Sequence, residues 1–168
     1  MDKEQTVAQL RQLMSGQLEL SLPDVIKEED RLYEDLNVDS IMVLQLVVYI
    51  EEVFNVTVPE EDLDPAVFQT VGSLVDFIHA LKEEPIIQFV IDRVADLTSR
   101  PELAEELNGD SPLEDAGVDS VLLVNLMMQI EQQYEIFYED DELLQENFAT
   151  ARLISQRILA KRAVQTGV

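Results

Sequence analysis

The chain has 168 residues, with 35 acidic against 11 basic side chains, a formal charge of −24 and no cysteine. Such an excess of carboxylates excludes the basic face that nucleic acid or an anionic membrane surface requires, and the missing cysteines exclude disulfides, thiolate metal sites and a cysteine nucleophile. A hydrophobic fraction of 46% still demands a packed core, which a disordered acidic tail lacks.

His79 is the single histidine, which nearly rules out catalytic triads and histidine-based metal sites, and it is expected on a helix surface. The N-terminus, Met1-Asp2-Lys3-Glu4-Gln5, is polar and acidic, unlike a secretory signal. The longest apolar stretch, Ile41 to Ile50, is interrupted by Gln45 and is far too short to span a membrane. These features lead us to expect a soluble, cytoplasmic, monomeric protein without catalytic machinery of its own.

In chain order, Val7, Leu10, Leu13 and Met14 form an apolar stripe at helical spacing. A long loop containing Leu22-Pro23 follows. The most regular element begins at Ser40 and runs to about Phe54, with Val43, Leu46, Val47, Ile50 and Phe54 as its core stripe. Val56-Thr57-Val58 reads as extended loop, because a lone strand would have nothing to pair with. A short turn near Phe68 and a helix over about Val71–Leu81 complete the unit.

The pattern then starts again. Glu34-Asp35-Leu36-Asn37-Val38-Asp39-Ser40-Ile41 recurs, shifted by 80 residues, as Glu114-Asp115-Ala116-Gly117-Val118-Asp119-Ser120-Val121. The same shift aligns Leu46 with Leu126, Ile50 with Ile130, Phe68 with Phe148 and Ile78 with Ile158. Ile87, Val90, Val94 and Leu97 mark the first helix of the second copy, Ser120 to Tyr134 the central one and Ala151 to Ala163 the last. The expected fold is all-α: two tandem four-helix bundles, each with three long helices and one short, over residues 1–83 and 84–168. Pro85 would open the second copy, because proline suits the first turn of a helix.

Ser40 and Ser120 each follow an aspartate, Asp39 and Asp119, at the start of the central helix. Capping by Asp or Ser is the simplest explanation of one such pair. Its recurrence in equivalent surroundings points further, because a helix N-terminus stabilises an anion such as a phosphate ester. No base accompanies either serine in the sequence pattern, so neither is a good nucleophile in its own right.

Leu32-Tyr33-Glu34-Asp35-Leu36-Asn37-Val38-Asp39-Ser40-Ile41, with the helix to Glu51-Glu52-Val53-Phe54, Val58-Pro59-Glu60-Glu61-Asp62 and Thr70-Val71-Gly72-Ser73-Leu74, resembles an acyl carrier protein. The second copy resembles the same family through Leu113 to Val121, so the whole is similar to a tandem carrier didomain. The resemblance implies that a phosphopantetheinyl transferase converts Ser40 and Ser120 to their 4′-phosphopantetheine forms, with coenzyme A as donor. It also implies cargo held as a thioester, and partners such as an acyltransferase, a ketosynthase or other enzymes of a polyketide or fatty-acid-type assembly line. An aminoacyl, aryl or peptidyl carrier, or an unmodified acidic helical adaptor, remains the alternative.

The central helices depart from that family. Acidic residues are typical two and five positions after the serine, where this chain has Met42 and Gln45, then Leu122 and Asn125. Packing within the domain, against the loop before the helix, is one reading of Ile41, Met42 and Val48, and likewise of Val121, Leu122 and Met128; with the core stripe already filled, an apolar partner-facing surface with Gln45 and Asn125 is the favoured expectation.

Overall fold

Asp2 starts the first helix, α1 (Lys3–Gln17), with a reciprocal cap: its carboxylate accepts the Gln5 N–H at 2.8 Å, and the Gln5 side chain accepts the Asp2 N–H at 3.2 Å. This computed structural model describes residues 2–61 and 63–165. The outer limits of the expected domains, residues 1 and 168, and Asp62 of the acidic run lie outside the described residues. Two compact units follow along the chain, Met1–Lys82 and Glu83–Val168.

In the first unit a long loop leads from α1 to α2 (Ser40–Phe54), then through a 3-10 turn (Pro65–Phe68) to α3 (Val71–Leu97). Its core gathers Leu10, Leu13 and Met14 from α1, Leu46, Ile50 and Phe54 from α2, Phe68 from the turn, and Leu74 and Ile78 from α3. The second unit continues from α3 through a one-turn α4 (Leu103–Glu106) to α5 (Ser120–Tyr134), two 3-10 turns (Asp140–Glu142 and Gln145–Phe148) and α6 (Ala151–Gln165). Its core repeats the first with Val90 and Val94, Leu126 and Ile130, Phe148, Ile154 and Ile158. The fold is all-helical: no strand occurs among the described residues, and an isolated antiparallel bridge pairs Arg31 with Thr70. Among the described residues no helix is long and apolar enough to cross a membrane.

Two expectations require correction. The helix expected to stop near Leu81 and restart at Pro85 is continuous, with Pro85 inside α3. Proline removes one backbone hydrogen bond and disfavours the helical conformation just before it. Here Leu81, Lys82, Glu83 and Glu84 are all good helix formers, and no glycine or asparagine nearby supplies a left-handed stop. His79 is not an ordinary surface residue either. It is half-buried, and its Nε2 lies 2.9 Å from the hydroxyl of the buried Thr6, 73 residues away in sequence. At the equivalent places the second unit has Ile86 and Leu159, so an apolar pair replaces a hydrogen-bonded one.

Candidate functional site

Both central helices begin with the same division of labour between aspartate and serine. Asp39 is the N-cap of α2, with extended backbone, and its Oδ1 accepts the Met42 N–H at 2.8 Å. Asp119 does the same for α5, accepting the Leu122 N–H at 2.8 Å. The capping is therefore done by the aspartates. Ser40 and Ser120 are the first helical residues, both exposed, and neither hydroxyl has a hydrogen-bond partner among the described residues. A free hydroxyl at the positive end of a helix suits attachment of a phosphate-linked group. Among the described residues no base is hydrogen-bonded to either oxygen, so none of these residues activates them as nucleophiles.

The loops ahead of the serines are held alike. Asn37 (φ 59°) and Gly117 (φ 94°) take the left-handed turn three residues before each serine, a conformation that asparagine and glycine tolerate best. Val38 then donates to the Leu32 carbonyl at 2.8 Å, and Val118 to the Leu113 carbonyl at 3.1 Å. Leu32 N–H donates to Gln69 O at 3.1 Å and Leu113 N–H to Ala149 O at 2.9 Å. The offset between Leu32 and Leu113 is 81, whereas Gln69 and Ala149 differ by 80. The second loop has thus slipped by one residue and regains register before Val118.

Along the helices, Ile41, Leu44 and Val48 in α2, and Val121, Val124 and Met128 in α5, are each 55–71% exposed. Gln45 and Asn125 are exposed beside them, and in α5 these residues and Ser120 line a shallow open hollow. Two of the expected surface residues are only partly exposed. Met42 and Leu122 are half-buried and pack against their cores. Each lies four residues before a buried leucine, Leu46 or Leu126, and so shares its inward face. Leu44 and Val124 occupy the outer strip instead, at the i+3 position that completes Ile41-Leu44-Val48 and Val121-Val124-Met128. That spacing is legible in the sequence itself. No charged residue interrupts Ser40–Ile50 or Ser120–Ile130; the first carboxylates are Glu51 and Glu131. These reach back to accept the Val58 N–H at 2.7 Å and the Tyr138 N–H at 2.9 Å, tethering the following loop.

Comparison with known proteins agrees with this arrangement. The family described as phosphopantetheine attachment site matches twice, over residues 8–78 and 88–158. The acyl carrier protein AsbD of Bacillus anthracis is 46% identical over 70 residues, which cover 42% of this chain and 77% of the relative. An acyl carrier protein of Borreliella burgdorferi (strain ZS7) is 35% identical over 82 residues, 49% of this chain and 99% of the relative. That of Wolinella succinogenes is 36% identical over 73 residues, 44% and 92% respectively. No solved structure matches. The chain therefore belongs to the phosphopantetheine-binding acyl carrier family as a tandem carrier, a non-catalytic protein whose prosthetic group is 4′-phosphopantetheine.

Proposed function

We propose that Ser40 and Ser120 are the two attachment points, one in each of two carrier domains over residues 1–83 and 84–168. The observation that carries this reading is the twin helix start, where aspartate caps and the serine hydroxyl is left exposed and unengaged. When bound, the group supplies a thiol on a long arm, to which acyl cargo is joined as a thioester; a chain without cysteine has no competing thiol. The protein's own residues place the serine at the helix end, keep its oxygen accessible and offer the strip that enzymes approach.

The chain then works as a monomeric cytoplasmic carrier for a polyketide or fatty-acid-type synthase. A phosphopantetheinyl transferase loads it, and an acyltransferase, ketosynthase or comparable enzyme exchanges cargo with it. The names of the relatives support acyl over aminoacyl cargo. Docking uses Ile41, Leu44, Gln45 and Val48, and Val121, Val124, Asn125 and Met128.

Incubation with coenzyme A and a broad-specificity transferase, followed by intact-mass measurement, tests the attachment points. Two phosphopantetheine increments are expected, with Ser40→Ala and Ser120→Ala each removing one; an unmodified chain would leave only an acidic helical scaffold. For the strip, Leu44→Glu or Val124→Glu should lower transfer through its own unit about tenfold without loss of helix content, on the scale of about 1.4 kcal/mol at a docking contact. Unchanged transfer in both variants would remove the strip from the docking surface.

A further inference from the structure

We propose that the two attachment serines are unequal substrates for a transferase that docks through a basic surface, and that Arg31 makes them so. The proposal rests on the reading of Ser40 and Ser120 as attachment points. Each loop feeding a central helix carries an exposed pair of carboxylates, Glu34-Asp35 ahead of Ser40 and Glu114-Asp115 ahead of Ser120. In the first unit Arg31 answers both. Its guanidinium is ion-paired with Glu34 and lies 3.6 Å from the Asp35 carboxylate, and its backbone N–H donates to that carboxylate at 2.8 Å. The Arg31–Thr70 bridge and the Leu32-to-Gln69 hydrogen bond fix the backbone from which this side chain extends.

The second loop has no such partner at the equivalent place. Leu113 makes the backbone bond that Leu32 makes in the first unit, so the residue at the position of Arg31 is Pro112. The guanidinium that comes near this loop, Arg100, is turned to Glu102 at 3.1 Å and donates to the Ala116 carbonyl at 3.5 Å. Glu114 and Asp115 have no ion pair among the described residues. The apolar strips beside the two serines are alike and uncharged, and at the loop just ahead of each serine the carboxylate pair is ion-paired in the first unit only.

A partner approaching a chain of charge −24 gains from basic docking residues. Charges at the rim of an interface act mainly on encounter rate and its salt dependence. Exposed carboxylates already answered by a guanidinium attract such a partner less. Ser120 is therefore the faster-loaded site, and its advantage fades as salt screens the rim.

The test uses the full chain, coenzyme A and a transferase with a basic docking face, with peptide-resolved mass spectrometry following both serines in one reaction. At low ionic strength Ser120 should be modified about two- to fivefold faster than Ser40, the size of effect an exposed pair supports. The ratio should approach one near 1 M salt, where the screening length is about 3 Å. Arg31→Gln should accelerate Ser40 by a similar factor and Arg31→Lys should not, while Pro112→Arg should slow Ser120. Arg31 is an exposed side chain, so the Gln variant decides the matter even if Pro112→Arg does not fold. Equal rates at low salt, a faster Ser40, or an Arg31→Gln chain with an unchanged Ser40 rate would each overturn the proposal. Absence of modification at both serines in every variant would instead overturn the attachment reading beneath it.

Discussion

In the first unit the start of α3 meets the preceding loop through Gly72, whose N–H donates to the Glu28 carbonyl at 2.8 Å; in the second, Arg152 at the start of α6 donates to the carbonyl of Gly109, also at 2.8 Å. The glycine has changed sides. A Cβ on Gly72 would lie 3.1 Å from the Glu28 carbonyl oxygen, whereas one on Gly109 would lie 3.0 Å from an Arg152 guanidinium nitrogen and 3.2 Å from Ile87 Cδ1. The crossing has room for one side chain. Where the helix supplies it, as Arg152 does, the guanidinium reaches Asp110 at 2.8 Å and Glu83 at 3.3 Å. The repeat thus preserves a backbone contact while exchanging the residues that make it, and at Thr6–His79 against Ile86 and Leu159 it exchanges a polar side-chain pair for an apolar one.

The largest expected effect comes from violating that exchange on one side only. Gly72→Arg places a side chain against the Glu28 backbone and should destabilise the first unit by about 3 kcal/mol. Adding Glu28→Gly should recover part of the loss, with a coupling of about 1 kcal/mol or more. Urea unfolding followed at the Leu46 methyls, with Leu126 as the control in the second unit, measures both; additivity of the two substitutions would contradict the one-side-chain account.

Tyr138 sharpens the comparison from the other unit. Its ring packs edge-on against Phe148 at 5.2 Å, but its buried hydroxyl has no hydrogen-bond partner among the described residues, where the first unit has Val58. Tyr138→Phe should therefore stabilise the second unit by about 1–2 kcal/mol. Burial, reinforced by Glu131 and Glu142, pushes the Tyr138 phenol well above its ordinary range, and burial also raises Tyr134. Below about pH 10 both folded and unfolded phenols keep their protons and pH has no leverage through them. Above it the unfolded chain ionises first, so stability of the second unit falls with rising pH. Burial lowers Lys82 in the first unit, which has the opposite sign: the folded form releases its proton earlier, and stability rises as pH passes from the folded to the unfolded value. Urea midpoints at the Leu126 methyls should drop between pH 9 and 11, less so in Tyr138→Phe, without a matching drop at Leu46.

The smallest effect concerns the exchanged pair. His79→Leu leaves the Thr6 hydroxyl donating to the Asp2 carbonyl at 3.1 Å and should cost the first unit about 1 kcal/mol. Thr6→Ile in the same chain, which imports the apolar pair of the second unit, should return most of it. A double mutant no more stable than His79→Leu alone would show that the two units do not share interchangeable pairs.

Much of this molecule could be read from its residues. The 80-residue repeat, the apolar stripes of α1, α2 and α5, and the serines at the helix starts all rest on short-range periodicity and capping chemistry. What escaped depends on other things. Met42 shares the inward face of Leu46, yet the stripe Val43, Leu46, Val47, Ile50 and Phe54 already fills a core face without it. The helix through Pro85 runs against the one strong local breaker, and no glycine or asparagine stop stands beside that proline. His79 meets Thr6 across 73 residues, and the loop slip ahead of Ser120 appears only in which backbone N–H meets which carbonyl. Neither leaves a local signature.

The uncharged run in α2 has a consequence beyond docking. Ile41 to Ile50, rich in valine and isoleucine, is helical only while the unit is folded; in an unfolded chain the same ten residues are the kind of segment that stacks into intermolecular sheets. The corresponding run in α5 has fewer β-branched residues and two adjacent methionines, and is the lesser hazard. Asp39 on one side and Glu51-Glu52 on the other act as gatekeepers, so mutual repulsion between chains protects the first carrier during synthesis and refolding. Neutralising those three carboxylates, or working near the sequence pI of about 4.1, should turn reversible melting into aggregation that begins in the first unit.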